Sequence, residues 1–287
     1  MKIGIIGLGN MGKALLKGIL KEGSLKPSDI LASSGLREEE EAAAREFGIR
    51  VTPENKEAAK EADILILAVK PQVMPGVLKE LRGSIPKECV VLSIAAGISI
   101  AMLEENLNTP HSARPASDGS TEWLEELNRE PRIARAMPNT PALVGAGTTA
   151  VSFTENVSAE QRDAVKKLLS GCGMVRELPE KLMDAVVAVS GSSPAYVFLF
   201  IEALADAAVK EGMPRALAYE FAAGSVMGSA KLMLETGKHP GELKDMVCSP
   251  AGTTIEAVRV LEEGGFRGLV MDAASACADR SRELGQE

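Results

Sequence analysis

Three glycines near the start of the chain have the spacing of a turn that binds a dinucleotide. Gly7, Gly9 and Gly12 form the pattern GxGxxG directly after an apolar run and before a helical segment. This pattern permits a tight turn at the first glycine, close approach of a pyrophosphate at the second and close helix–strand packing at the third. The pyrophosphate then lies over a helix N-terminus, whose free N–H groups attract anions. A glycine-rich turn without a ligand is the alternative.

The end of the second predicted strand indicates which dinucleotide is bound. NAD sites commonly place Asp or Glu there to bind the ribose 2′-hydroxyl, whereas this chain has Ser33 and Ser34, with Arg37 close behind. Hydroxyls and a guanidinium suit a 2′-phosphate, which an acid would repel. The sequence therefore favours NADPH. NADH is the alternative, because the acidic run 38–41 follows directly.

Three further stretches of small residues and proline end predicted strands, at 68–72, 93–97 and 136–141. In an open parallel sheet, ligands bind beyond the carboxyl ends of the strands, so we expect these stretches to line the cofactor crevice. Lys70 is either a cofactor contact or a solvated side chain. The residues predicted to bind the cofactor are Gly7, Gly9, Asn10, Met11, Gly12, Ser33, Ser34, Arg37, Asn55, Ala68, Val69, Lys70, Pro71, Ala95, Ala96, Gly97, Met137, Pro138 and Asn139.

Short apolar runs up to about residue 180 predict the sheet that positions these residues. Several runs are nearly continuous in Ile, Val and Leu, which is typical of parallel strands covered by helices on both faces. We therefore predict an α/β fold with a doubly wound sheet. The predicted strands cover residues 2–6, 30–32, 64–69, 90–94, 133–136, 148–153 and 174–178, with a helix at 159–169.

The second part of the chain changes to long helical segments separated by Gly and Pro. Ser193 as N-cap, Pro194 in the first turn and Gly212 as a C-terminal cap bracket one predicted helix. Further helices are predicted at 214–234, 253–263 and 266–284. Because these helices have little polar surface, we predict an all-helical domain over 181–287 that buries its apolar faces in a homo-oligomer. Packing wholly against its own first domain is the alternative.

Composition excludes several other classes of protein. The formal charge of −8 argues against a nucleic-acid surface, because binding phosphates needs clustered Lys and Arg. The apolar stretches are short or contain acids and no signal peptide is evident, so we predict a cytoplasmic protein without a membrane span. The 4 cysteines are far apart and form no CxxC, which argues against a metal site and against a disulfide framework. The expected partners are a small-molecule substrate and protein.

The order of the motifs resembles that of the pyrroline-5-carboxylate reductases. The stretches "GLGNMG", "AVKPQ", "SIAAG" and "MPNTPALVG" are followed by "SGSSPAYVFLFIEALADAAVKEGMPRALA", "HPGELKDMVCSPAGTTIEAV" and "GGFRGLVMDA". Similarity covers the whole chain except 108–131, which we interpret as a surface excursion. The resemblance implies a Rossmann-type domain over 1–180 and a substrate-binding, dimerising helical domain over 181–287. It also implies reduction of 1-pyrroline-5-carboxylate to L-proline with NAD(P)H, the last step of proline biosynthesis, by a homodimer or a higher oligomer of dimers.

The same resemblance assigns roles to the small residues near the end of the chain. Ser249, Gly252 and Thr253 match the family's loop for the substrate carboxylate, and Thr254 matches the threonine whose hydroxyl meets the substrate's ring nitrogen. An ordinary capping box from Thr253 to Glu256 is the alternative. A protonated imine is a strong electrophile, so the absence of a His or carboxylate from this loop fits hydride transfer.

Two positions depart from the family pattern, because Ser193 and Ala251 stand where it usually has glycine. If either backbone needs a positive φ or close contact with a ligand, a β-carbon there is unfavourable. His239 is expected to shape a turn, and Tyr196 is expected to pack rather than to act as an acid.

Three rival functions remain open from the residues alone. A hydroxyacid dehydrogenase needs a catalytic Lys in its helical domain, for which Lys231 is a candidate, but Glu235 stands where that class has Asn. A reductase of a related cyclic imine carboxylate needs the same residues as the favoured reaction. A non-catalytic dinucleotide-binding regulator has no need of the second anion pocket suggested by "SPAGTT".

Overall fold

The computed structural model of the chain describes residues 1–108 and 130–285 and shows two compact units. The first unit comprises Met1–Gly191 together with Ala278–Glu287, and the second comprises Ser192–Cys277. The predicted excursion at 108–131 lies almost wholly outside the described residues. The domain boundary after residue 180 and the roles of the two domains stay predictions.

Within the described residues, eight strands of the first unit form one sheet in the order β3-β2-β1-β4-β5-β6-β7-β8. All neighbours are parallel except β6 and β7, which are antiparallel. The strands predicted from the apolar runs are confirmed, and a two-residue strand, β3, was not predicted. The bounds are β1 Ile3–Ile6, β2 Ile30–Ser33, β3 Arg50–Val51, β4 Ile64–Leu67, β5 Val90–Ser93, β6 Arg132–Met137, β7 Gly147–Phe153 and β8 Gly173–Glu177.

Alternate side chains of the central strands are buried on opposite faces of the sheet. In β4, Ile64 and Ile66 belong to one apolar cluster, whereas Leu65 and Leu67 belong to the other. This alternation follows from the two-residue period of a strand, and burial on both faces explains the unbroken run of apolar residues. The sheet is therefore doubly wound, as predicted. The α-helices of this unit are α1 Asn10–Glu22, α2 Arg37–Phe47, α3 Asn55–Lys60, α4 Met74–Leu81, α5 Ile100–Asn108, α6 Ala159–Ser170 and α7 Met183–Val186.

Long helices build the second unit, with α12 continuing from it into the first. The helices predicted at 214–234, 253–263 and 266–284 are confirmed within two residues at each end, whereas α10 was not predicted. The last residues of α12 belong to the first unit, where the Ser281 hydroxyl donates to Asp184 Oδ1 at 2.7 Å. The bounds are α8 Ser193–Lys210, α9 Arg215–Thr236, α10 Pro240–Val247, α11 Thr253–Glu263 and α12 Phe266–Leu284.

The predicted N-cap of α8 is wrong by one residue. The N-cap is Ser192, Ser193 is already the first helical residue, and Gly212 lies just beyond the C-terminal end with φ +94°. A π-helical turn, Val187–Gly191, leads into α8, so Ser192 already has helical φ and ψ of −95° and −24°. An N-cap side chain normally needs an extended backbone to reach the first turn. The physical reason for the error is thus the helical turn that precedes α8.

Unit two buries little of its own apolar surface. The residues packed inside it are small, namely Ala205, Ala218 and Ala222, whereas Phe198, Leu199 and other large apolar side chains are exposed. The stretch Glu180–Lys210 is long and apolar enough to cross a membrane, and only 6% of its most apolar window is buried. Helices that are buried against other protein surfaces can be equally long and apolar, so this finding is weak evidence for a membrane span. The exposed face needs a partner surface in water.

Candidate functional site

Gly7 joins the carboxyl ends of three neighbouring strands at one edge of the sheet. Its N–H donates to the carbonyl of Ser33 at 2.9 Å, which holds the end of β1 against the end of β2. Its φ is +102°, and a β-carbon at this position would lie 2.6 Å from the carbonyl oxygen of Ala68, directly after β4. Only glycine fits such a backbone and such an approach. The motif therefore forms the tight turn that its spacing predicts.

Gly9 leaves the start of α1 open to an anion. It is the N-cap of α1, with φ −68° and ψ −175°, and has no side chain to bond the first-turn N–H groups. The first turn, Asn10 to Lys13, contains no acid, so the positive end of the helix is not neutralised. A β-carbon at Gly9 would meet no described atom within 4 Å. Free N–H donors and free space together fit a pyrophosphate.

Ser33 and Asn55 form a hydrogen-bonded pair at the end of β2. The buried Ser33 hydroxyl donates to Asn55 Oδ1 at 2.8 Å, and Asn55 Nδ2 donates to Glu80 Oε2 at 2.8 Å. Two predicted cofactor residues are thus brought together. The contribution of Glu80 was not predicted, because it comes from α4, which is distant in sequence.

Ser34 and Arg37 have partners that the sequence did not reveal. The Ser34 hydroxyl donates to Glu39 and the Ser34 N–H donates to Glu40 Oε1 at 3.0 Å. The Arg37 side chain is 88% exposed, and its Nε donates to Glu41 Oε1 at 3.0 Å. The acidic run was interpreted as unfavourable charge near the phosphate site. Its specific bonds to Ser34 had no sequence signal, because they depend on how α2 begins.

The remaining strand ends lie at the same edge of the sheet as Gly7. Ala68 donates its N–H to the carbonyl of Ile6 at 2.8 Å, and Ile94 donates to Leu67 at 3.2 Å. Pro71 opens a 3₁₀ turn directly after the exposed Lys70. Gly97 has φ +75°, so the turn after β5 also depends on glycine. Parallel register at this edge brings Gly9, Asn10, Met11, Gly12, Val69, Ala95 and Ala96 into the same neighbourhood.

Asn139, which follows β6 and Pro138, is buried and fully bonded. Its Oδ1 accepts the N–H of Thr148 at 2.9 Å, and its Nδ2 donates to the carbonyl and hydroxyl of Ser190 at 3.1 Å and 3.3 Å. Met137 packs close by, since a β-carbon at Gly191 would lie 2.9 Å from Met137 Cε. The amide of Asn139 therefore fixes the shape of this end of the sheet.

The second predicted cluster lies in unit two, in the loop between α10 and α11. Gly252 is the N-cap of α11, with φ −83° and ψ 174°, and its N–H donates to the carbonyl of Ser249 at 3.1 Å. Thr253 and Thr254 are the first two residues of the helix. The alternative capping box is not formed, since Gly252 has no side chain and Glu256 instead accepts from Arg259 Nε at 3.1 Å. The first N–H groups of α11 are thus left available to an anion.

Ala251 adopts the backbone conformation for which glycine is usual. Its φ is +56°, and no other non-glycine residue among the described ranges has a positive φ. This strain costs on the order of 1 kcal/mol for a residue with a β-carbon. The condition under which a β-carbon is unfavourable, a positive φ, is therefore met at Ala251. Ser193, the other departure, is an ordinary helical residue.

Three further side chains in unit two were weighed as acids or bases. His239 Nδ1 accepts the N–H of Gly241 at 3.1 Å and so caps α10, which confirms its predicted role in the turn. The pKa of Tyr196 is raised, first by a hydrogen bond with Cys277 and then by burial, so the phenol stays protonated. Lys231 pairs with Glu235 at 3.7 Å, and both side chains are more than 60% exposed. Lys231 thus lacks the buried setting of a catalytic lysine.

Within residues 1–108 and 130–285, no group of three or more His, Cys, Asp or Glu side chains is placed to hold a metal ion. The chemistry of the described clusters is therefore that of backbone N–H groups and hydroxyls. Such groups bind anions and donate hydrogen bonds to developing or existing charge.

Comparisons with known proteins agree with a dinucleotide-binding first unit followed by a helical second unit. A family model described as pyrroline-5-carboxylate reductase dimerisation matches residues 180–284, and one described as NADP oxidoreductase, coenzyme F420-dependent, matches residues 2–97. The chain is 48% identical to the pyrroline-5-carboxylate reductase of Escherichia coli K12, covering 99% of this chain and 98% of that protein. It is 43% identical to that of Methanosarcina acetivorans, covering 100% and 98%.

A solved structure gives the same result for the fold. The crystal structure of Plasmodium falciparum pyrroline carboxylate reductase with NADP bound superposes with a TM-score of 0.82 at 32% identity, covering 99% of this chain and 98% of that one. Sequence and structure thus agree over nearly the full length of both proteins. The chain belongs to the pyrroline-5-carboxylate reductase family.

Proposed function

We propose that this protein reduces 1-pyrroline-5-carboxylate to L-proline with NADPH. The observation that carries the proposal is the similarity over 99% of the chain to a relative of that name at 48% identity. The loop before α11 supports it, because backbone N–H groups at the start of that helix and nearby hydroxyls are groups that can bind a carboxylate and a ring nitrogen. This reaction is the last step of proline biosynthesis.

The first unit binds the cofactor in this proposal. The free N–H groups at the start of α1 hold the pyrophosphate, and the space at Gly9 admits it. Ser33, Ser34 and Asn55 bind the adenosine ribose and its 2′-phosphate, and Arg37 adds positive charge. The stretches after β4, β5 and β6 line the nicotinamide end. When bound, NADPH supplies the hydride.

Residues of unit two hold the substrate. The N–H groups at the start of α11 and the Ser249 and Thr253 hydroxyls bind the carboxylate, with Gly252 allowing close approach. The Thr254 hydroxyl hydrogen-bonds the ring nitrogen and fixes the orientation of the C=N bond. A protonated imine needs no strong acid, because its nitrogen accepts the C=N electron pair as the carbon accepts hydride. The protein contributes position, orientation and exclusion of water.

The experiment that tests this proposal measures NADPH oxidation by the purified protein with 1-pyrroline-5-carboxylate, with proline identified as the product. Thr254→Val removes the hydroxyl and keeps the shape, and we expect kcat to fall by about 10²-fold. Thr254→Ser keeps the hydroxyl and serves as the matched control, with kcat within about threefold of the parent.

Absence of turnover with both NADPH and NADH would contradict the proposed substrate and leave other cyclic imine carboxylates to be assayed. Equal activity of Thr254→Val and Thr254→Ser would contradict the role of the hydroxyl. If no cyclic imine is turned over while the cofactor still binds, the result favours a non-catalytic dinucleotide-binding regulator over an imine reductase.

The proposed assembly is a homodimer through the helices of unit two, with a higher oligomer of dimers as the alternative. The exposed apolar face of α8 and α9, and the dimerisation family match over residues 180–284, support an interface between copies. Burial of this face between two copies explains why α8 is apolar without a membrane, and the proposed location of the protein is the cytoplasm.

Sedimentation at decreasing protein concentration, linked to the activity assay, tests the proposed dimer. An active monomer would contradict the requirement for a dimer.

A further inference from the structure

Two acidic side chains that the predicted site does not contain lie at the adenosine end of the proposed cofactor site. Gly7 of the dinucleotide turn donates its N–H to the carbonyl of Ser33 at 2.9 Å, which places the end of β2 beside that turn. Ser34 follows directly, where a dinucleotide's ribose is bound in sheets of this kind. The acids Glu39 and Glu40 from the first turn of α2 reach back to this serine.

Both hydrogen-bond donors of Ser34 are engaged by these carboxylates. The hydroxyl donates to Glu39 Oε2 at 2.5 Å, and the N–H donates to Glu40 Oε1 at 3.0 Å. The hydroxyl of Ser33 is also engaged, since it donates to Asn55 at 2.8 Å. A 2′-phosphate is an acceptor and needs such donors. It therefore has to displace a carboxylate to bond Ser34.

The two acids differ in how firmly they are held. Glu40 is 6% exposed and bonds a backbone N–H, so it is part of the packed start of α2. Glu39 is only half-buried and bonds a hydroxyl, which rotates freely. Glu39 is therefore the carboxylate that a ligand can displace without unpacking the helix.

From these contacts we propose that Glu39 narrows the preference for NADPH over NADH. The Glu39 carboxylate competes with the 2′-phosphate for the hydrogen bond from the Ser34 hydroxyl. It also accepts a hydrogen bond from the ribose 2′-hydroxyl of NADH. This inference rests on the proposed function, which places the dinucleotide at this edge of the sheet. Glu39 is a specificity-determining residue that acts against the phosphate, whereas Ser34 and Arg37 act for it.

The neighbouring charges leave Glu39 uncompensated. Arg37 Nε bonds Glu41 Oε1 at 3.0 Å, and Arg45 lies 3.7 Å from the same carboxylate. Among the described residues no ion pair of Glu39 is found. A phosphate bonded to Ser34 would come within about 5 Å of the Glu39 carboxylate, where like charges repel strongly at the partly buried edge of a protein.

The test is calorimetric titration of the full chain with NADP⁺ and NAD⁺, without substrate. Glu39→Gln keeps an oxygen that accepts from Ser34 and removes the charge, so the start of α2 is preserved. We expect NADP⁺ to bind about tenfold more tightly to this variant and NAD⁺ about twofold more weakly. Adenosine 2′,5′-bisphosphate and 5′-AMP, as probes of this end alone, should shift in the same directions.

Glu38→Gln is the matched control, because it removes the same charge from the same helical turn at an exposed residue. We expect it to change both affinities by less than about twofold. Equal changes of affinity in the two variants would show that only the net charge of this helical turn matters, and would overturn the proposal. Unchanged NADP⁺ affinity in Glu39→Gln would also overturn it.

If the parent chain binds neither dinucleotide, the proposed function is contradicted. If it binds both dinucleotides but reduces no imine, the titration still decides the role of Glu39.

Discussion

The backbone of Gly18 in α1 lies directly against the thiol of Cys172, which follows α6. A β-carbon at Gly18 would overlap the sulfur and lie 3.1 Å from the Cys172 backbone nitrogen. The thiol in turn is 3.5 Å from the carbonyl of Ala14. Helix α1 therefore crosses the turn that follows α6 at a point where only glycine and a small side chain fit. This crossing holds α1, which bears the proposed pyrophosphate site, against the rest of the first unit.

Gly18→Ala is expected to destabilise the protein by about 3 kcal/mol, because the added methyl group has no space at this crossing. Urea denaturation followed by circular dichroism measures the change in free energy of unfolding. The matched control is Gly76→Ala in α4, where a β-carbon meets no described atom within 4 Å. That change should stabilise the helix by about 0.5 kcal/mol. Equal effects of the two substitutions would contradict the close crossing.

The thiol of Cys172 should make stability depend on pH in the alkaline range. Burial raises its pKa from the ordinary 9.0 to about 11. The folded protein thus keeps the thiol neutral, whereas the unfolded chain ionises it above pH 9. Its contribution is complete below pH 9 and is lost as pH rises towards 11.

Urea denaturation at intervals from pH 8 to pH 11, compared between the parent and Cys172→Ala, measures this contribution. We expect the parent to lose up to about 2 kcal/mol more than the variant across that window. Comparing how the free energy of unfolding changes with pH in the two proteins removes the constant cost of the cavity in the variant. It also removes the titration of groups that both proteins share. Parallel curves would show that the thiol is not protected by burial.

Ala251→Gly is expected to stabilise the protein, because glycine adopts a positive φ without the strain of a β-carbon. With φ at +56°, the gain should be about 0.5–1 kcal/mol. Ala257→Gly, within the same α11, is the control and should cost about 1 kcal/mol, because its backbone is helical. Thermal unfolding of both variants checks the opposite signs. A loss of stability in Ala251→Gly would mean that the alanine methyl makes a contact worth more than the strain.

The sequence predicted the sheet well because its signal is local. Ile64 to Leu67 are buried on both faces, so an unbroken apolar run identified β4 without further information. The edge strand β3 has two residues and α10 has eight, so each is too short for periodicity to identify it. The N-cap of α8 was misplaced because the preceding π-helical turn depends on packing rather than on local residue preferences.

The residues of the candidate site were also predictable only in part. Gly7 was identified because a tight turn favours glycine, whereas Ala251 was identified because it departs from the glycine of the family pattern. The bond from Ser34 to Glu39 could not be predicted, because an acidic run indicates only charge, and the rotamers that turn one acid back to β2 are set by the folded structure. The capping box from Thr253 to Glu256 was a plausible local pattern, but the helix begins one residue too early for it, so that Gly252 and not Thr253 is the N-cap.

An exposed apolar residue of α8 offers a test of the interface between copies. Leu199 is 69% exposed, and a charge introduced there would be buried in a dimer but solvated in a monomer. We expect Leu199→Glu to weaken self-association by about 10²-fold or more. Sedimentation velocity across a concentration series measures this, and Lys17→Glu, on the exposed side of α1, is the control. An unchanged association constant for Leu199→Glu would exclude this part of α8 from the interface.

Gly9→Ala and Gly12→Ala should separate cofactor binding from folding. A β-carbon at Gly9 meets no described atom within 4 Å, whereas one at Gly12 would overlap the carbonyl oxygen of Gly7. We therefore expect Gly9→Ala to leave the free energy of unfolding within about 0.5 kcal/mol of the parent and to weaken NADPH binding by about tenfold or more, because its methyl group occupies the space of the pyrophosphate. Gly12→Ala should lose about 2 kcal/mol or more of stability as well. Urea denaturation without cofactor and fluorescence titration with NADPH measure the two quantities separately. Undiminished NADPH affinity in a well-folded Gly9→Ala variant would contradict binding of the pyrophosphate at this turn.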